Sequence, residues 1–176
     1  MTEQEQKQVA MHTDFFDRCE FAIQNGFYLE AVFMEYAAIE SRLESICGVL
    51  GFPCGKECPC RKDIKISARI ECLRAYRNKN ERIFARTKLP KSFFTEHGEL
   101  KEWVDKRNRY VHGLYKDETA YKNRMMDNKK LAEDGLKHAK LLYNEAKRIR
   151  RLQKGHSDQF DGIVAQCKEK GCKAYL

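Results

Sequence analysis

A chain of 176 residues suits one compact domain with a sizeable core and a short appendage, and is too short for two full domains. Its 3 Pro and 10 Gly are too few for turn-rich sandwiches or barrels, while 42% hydrophobic and 34% charged residues exclude global disorder; the expected class is soluble and all-α. A formal charge of +8 favours an anionic partner such as nucleic acid, although the same surplus also serves solubility alone. No run of about 18 apolar residues is present, and Glu3 and Glu5 stand where a secretory signal needs a basic start. The expectation is a cytoplasmic protein with no membrane contact, in which the eight cysteines are reduced.

In chain order, residues 3–25 read as a first helix with Val9, Phe15, Phe16, Cys19 and Ile23 on its apolar side, ended by Asn25-Gly26. From Leu29 to Leu50 the apolar residues keep a three-and-four spacing, the clearest helical pattern in the chain. Residues 51–62 carry Pro53, Gly55, Pro59 and three cysteines, and read as a Cys-rich loop inserted between helices. A third helix is expected over 64–87. A fourth, capped by Ser92 or Thr95, runs through Leu100, Trp103, Val104, Val111 and Leu114, and a fifth over 119–154 is closed by Gly155. The predicted organisation is a bundle of about five helices over 1–154, with a C-terminal tail at 155–176.

Two charged residues fall where the helical pattern calls for apolar ones. With Tyr36 as zero and about 100° per residue, the apolar residues of the second helix span roughly −80° to +60°, and Glu40 falls near +40°. With Leu100 as zero, the apolar sector of the fourth helix spans roughly −60° to +40°, and Arg107 falls near −20°. Buried charge is costly unless paired, so Glu40 and Arg107 are expected to meet, in the simplest case as a buried ion pair. Asn108 follows the arginine and His112 lies one turn beyond Asn108. A permanently charged phosphate clamp, a proton carrier near neutral pH and an orienting amide are the parts of a phosphoryl-transfer site.

The stretch Arg107-Asn108-Arg109-Tyr110-Val111-His112 resembles the Arg-polar-x3-His motif of HEPN domains, small helical bundles of which many are metal-independent ribonucleases acting as dimers, often as toxins or antiviral effectors. The string Ala37-Ala38-Ile39-Glu40-Ser41-Arg42-Leu43 resembles the acidic helix of the same family, and the likeness covers roughly residues 10–154. The resemblance implies that Arg107 and His112 form the catalytic pair, with Asn108 as the polar residue beside the arginine and Glu40 as the carboxylate that positions it. It also implies RNA as substrate, a homodimer, and an antitoxin or other regulatory protein as partner. Some toxin members carry a Tyr two residues after the His that receives AMP; here the order is His112-Gly113-Leu114-Tyr115, one residue longer. In such a mechanism the RNA 2′-hydroxyl attacks the adjacent phosphorus, and no cofactor is required for catalysis.

Cys54, Cys58 and Cys60, with Cys47 or Cys72 as a fourth ligand, make a structural zinc site one reading of the loop; exposed free thiols and a redox role are the others. Toward the end of the fifth helix, Lys147, Arg148, Arg150 and Arg151 read either as a solvated face that suits the helix dipole or as a patch that tracks RNA phosphates, with Tyr143 available to stack on a base. Three functions follow from these readings: a dimeric endoribonuclease, a non-catalytic HEPN-like module for binding RNA or protein, and a zinc-stabilised helical scaffold.

Overall fold

A computed structural model describes residues 3–50, 66–79, 81–114 and 125–154. The protein is all-α, with no strand among the described residues: α1 Glu3–Gln24, α2 Tyr28–Val49, α3 Ile66–Lys79, α4 Glu81–Phe84, α5 Glu99–Leu114 and α6 Met125–Lys154. No described helix is long and apolar enough to cross a membrane. The Cys-rich loop with Cys54, Cys58 and Cys60 lies outside the described residues, as does the tail at 155–176.

Helix α1 ends as its Asn-Gly signal predicts. Gly26 takes a positive φ of 80°, Gly26 N donates to Ile23 O (3.3 Å) and Phe27 N to Ala22 O (2.8 Å), the paired bonds of a Schellman cap. The sequence pattern predicts one helix over 64–87; the structure has α3, the single turn α4 and then a series of turns. Those turns bury Leu89, Phe93 and Phe94. Arg77 holds them, donating to Pro90 O (2.5 Å) and Leu89 O (3.3 Å) and so satisfying carbonyls that a continuing helix would have paired. Neither Ser92 nor Thr95 caps α5. Their carbonyls accept turn bonds, and Gly98 O takes the first helical bond, from Glu102 N (2.9 Å). A side chain at Gly98 would overlap the Ser92 carbonyl, so glycine is required where the turns meet the helix.

The chain forms two compact units, Met1–Ala38 with Trp103–Lys140, and Ile39–Glu102 with Leu141–Leu176. The first buries Cys19, Ile23, Val32, Trp103, Val104 and Leu131 together with the small residues Ala22, Ala31, Ala132 and Ala139. Small side chains let helix axes approach closely, and they leave this core modest in volume. The second unit carries the larger apolar groups, with Phe84, Phe93 and Phe94 stacked edge to face (centroids 6.3 and 5.2 Å) beside Leu43, Ile70, Leu73 and Leu142. Its one fully enclosed carboxylate, Glu145, accepts from Lys88 N (3.0 Å) and faces Arg148 (3.8 Å).

Candidate functional site

The apolar stripe of α5 begins with Leu100, Trp103 and Val104, all buried, and then fades: Arg107 and Val111 are half-buried. Arg107 therefore continues the stripe at the depth where a guanidinium keeps some access to water. Two aromatic rings of α2 receive it. Its Cζ lies 4.0 Å from the centroid of Tyr36 and 5.2 Å from that of Phe33, while Nη1 donates to Asn108 Oδ1 (3.1 Å). A flat cation on aromatic faces is stabilised by about 0.5–2 kcal/mol, and the Asn108 contact fixes the rotation of the guanidinium plane. Arg107 and Asn108 are thus brought together as the motif predicts.

His112 is exposed, one turn beyond Asn108 on α5. Five residues separate it from Arg107, which places the two about 140° apart around the helix axis. Both belong to the candidate site, but within one chain they leave the helix on different sides.

Glu40 takes a different partner from the one expected. Its Oε1 lies 3.6 Å from Arg69 Nη1 of α3, and the same guanidinium reaches Glu44 (3.7 Å) and the Glu40 carbonyl (3.4 Å). Its side chain keeps 40% of its surface exposed. The expected salt bridge from Glu40 to Arg107 is therefore replaced by one to Arg69, and Arg107 is supported by rings.

The buried carboxylate of α2 is Glu35, fully enclosed, and neither of its oxygens has a hydrogen-bond partner among the described residues. Burial pushes its pKa up to about 9, so it is a neutral acid at physiological pH. Trp103 and Gly135 wall it in: a Cβ at position 135 would overlap Glu35 Oε2 and stand 2.6 Å from the Trp103 ring. Trp103 is fixed by Nε1 donating to Leu131 O (2.8 Å) and packs edge to face with buried His138 (6.4 Å). On α1, Cys19 is pushed up to about 12 by burial first and by the nearby Glu35 second, which leaves it an inert thiol. Sequence reasoning passed over Glu35 because Phe33 and Tyr36 were counted in the apolar face and Ala31 was not. The residues that are buried span roughly −140° to +20° on the same wheel, a rotation of about 50° that centres near Glu35 and moves Glu40 to the rim.

The basic end of α6 is drawn into local contacts. Lys147 lies 4.1 Å and Arg42 5.7 Å from the Tyr143 centroid, so cations already occupy the ring offered for base stacking. Arg148 meets Glu145 (3.8 Å) and the Arg86 carbonyl (3.4 Å), Arg150 donates to Ser45 Oγ (3.1 Å), and Arg151 is exposed. Cys47 is buried and Cys72 half-buried, both as thiols. Comparison with protein-family models, with curated proteins and with solved structures finds no match.

Proposed function

We propose that the protein is a HEPN-like endoribonuclease that cleaves RNA by attack of the 2′-hydroxyl on the adjacent phosphorus and works as a homodimer. The observation that carries this reading is Arg107, a cation held in a fixed plane by Tyr36 and Asn108 and only half-buried. An arginine so placed presents two parallel donors to a phosphodiester and stabilises the charge that grows on its oxygens. His112 moves protons, taking one from the 2′-hydroxyl or giving one to the leaving 5′-oxygen. Because Arg107 and His112 leave α5 about 140° apart, a second copy whose α5 faces the first gives each phosphate a clamp together with both a base and an acid. The substrate supplies the nucleophile, so the reaction proceeds with metal chelated.

A second reading, a non-catalytic module that binds RNA or protein, is favoured by one observation: Glu40, the carboxylate expected to position the arginine, is held by Arg69. Mixed RNA incubated in EDTA with the wild-type protein and with His112→Ala separates the two. Cleavage is expected to leave 2′,3′-cyclic phosphate and 5′-hydroxyl ends, to fall by about 10²-fold or more in His112→Ala, and to spare DNA. Unchanged cleavage in the variant, 5′-phosphate ends, or cutting at a 2′-deoxyribose would overturn the ribonuclease reading. A role as toxin or antiviral effector in the cytoplasm, restrained by an antitoxin, belongs to the same proposal; growth arrest on expression that His112→Ala relieves is its test.

A further inference from the structure

Helices α5 and α6 meet in the first unit along a seam that is polar where a packed helix pair is ordinarily apolar. One stripe of α5, at positions 106, 109 and 110, faces one stripe of α6, at 127, 130, 131 and 134, across a groove of about 450 Å³. Five charged side chains line it: Lys106, Arg109 and Lys130 on the positive side, Asp127 and Asp134 on the negative. Among the described residues none of the five forms an ion pair or hydrogen bond, although opposite charges share one small concavity. Groups that close on each other cancel; groups held apart around a groove stay available to a ligand that spans them. The remaining wall is chemically specific. Half-buried Tyr110 offers an aromatic ring, and Asn128, 3% exposed, carries an amide that both donates and accepts. Tyr110 is the α5 neighbour, one turn on, of Arg107, so the groove starts beside the candidate phosphate clamp.

We infer that this groove is a base-reading subsite for the RNA strand, seating the nucleotide that flanks the one held at Arg107; the inference rests on the ribonuclease reading. A nucleotide carries what the lining can use: a phosphate for Lys106, Arg109 and Lys130, a π face for Tyr110, ribose hydroxyls for Asp127 or Asp134, and a hydrogen-bonding edge for Asn128. Arg107 then fixes where the backbone is cut, and the groove decides beside which base.

Calorimetric binding of the four homopolymeric RNA tetranucleotides to the full chain carrying His112→Ala, which binds without cutting, tests this. One or two of the four are expected to bind about tenfold more tightly than the rest. Lys130→Glu, at an exposed position, should weaken every tetranucleotide by about tenfold, and Asn128→Ala should level the preference. Should Asn128→Ala fail to fold, Lys130→Glu still decides the matter. Equal affinity for all four, affinity unchanged by Lys130→Glu, or competition by inorganic phosphate at the same concentration as RNA would overturn the subsite and leave only an anion patch. Loss of cleavage without loss of this selective binding would defeat the ribonuclease reading and spare the groove.

Discussion

Replacing Glu35 by glutamine is expected to stabilise the protein at neutral pH, and increasingly so as the pH rises. Glu35 is enclosed between Trp103 and Gly135 with no hydrogen-bond partner, and its folded pKa of about 9 stands above the ordinary value of 4.5. The folded state therefore holds a proton that the unfolded chain has released. Below about pH 4.5 both states are protonated and the difference vanishes; between about 4.5 and 9 the unfolded chain binds fewer protons, so stability falls as pH rises; above about 9 the loss is complete. At 1.36 kcal/mol per pH unit, the cost reaches about 3 kcal/mol at pH 7 and about 6 kcal/mol at pH 9, large against a typical domain stability of about 5–15 kcal/mol. Glutamine keeps the shape and does not titrate. Urea unfolding at pH 5, 7 and 8.5, followed by fluorescence of the single tryptophan, Trp103, measures the effect. The wild-type curve should lose stability across that range relative to Glu35→Gln. Cys19, the Glu20–Lys140 pair and His138, the other titratable groups of this unit around the carboxylate, are common to both proteins and drop out of the comparison. Parallel pH profiles, or a glutamine variant less stable at pH 8.5, would refute the buried neutral acid.

Gly135→Ala adds a good helix former to α6 and should nonetheless destabilise it by about 1–3 kcal/mol, because the new methyl overlaps Glu35 and crowds Trp103; thermal melts check this, and Glu35→Ala in the same chain should restore only part of the loss, since the indole remains. Cys19, its thiol pushed up to about 12 by burial, should resist iodoacetamide at pH 8 in the folded protein and react in urea, as read by mapping the modified residue by mass spectrometry. Glu145→Ala should cost about 1–3 kcal/mol in urea unfolding, because it leaves Lys88 N without its carboxylate acceptor, whereas truncating exposed Arg151 should change stability by less than about 0.5 kcal/mol.

The helices were legible because their signals are local. The Asn25-Gly26 stop reappears as the Schellman cap with Gly26 at positive φ, and the three-and-four spacing over 29–50 reappears as α2. Where long-range contacts decide, the local pattern ran past the true boundary. The segment after Phe84 has helical composition, but burying Phe93 and Phe94 and pairing Arg77 with the Leu89 and Pro90 carbonyls outweighs one more helical turn. The basic end of α6 shows the same limit from another side. Composition cannot tell a solvated cation from one that reaches Ser45 or the Arg86 carbonyl, because those partners lie about sixty or more residues away in the chain.

Glu40 and Glu35 show how fine the margin is at the candidate site. They are five residues apart on one helix, and a rotation of about 50° in the inferred apolar face exchanges which of them is enclosed. That rotation came from treating Phe33 as core, although it is 45% exposed, and from giving no weight to Ala31, which is fully buried. Aromatic side chains mark a core face poorly when they serve another side chain, and Phe33 and Tyr36 serve Arg107. Placing Arg107 in the α5 stripe was sound, since Leu100, Trp103 and Val104 are buried in that same direction. The further step, that an arginine so placed needs a carboxylate, assumed full burial. At half burial two aromatic faces and the Asn108 oxygen are enough, and a guanidinium not neutralised by Glu40 keeps more of its charge for a phosphate.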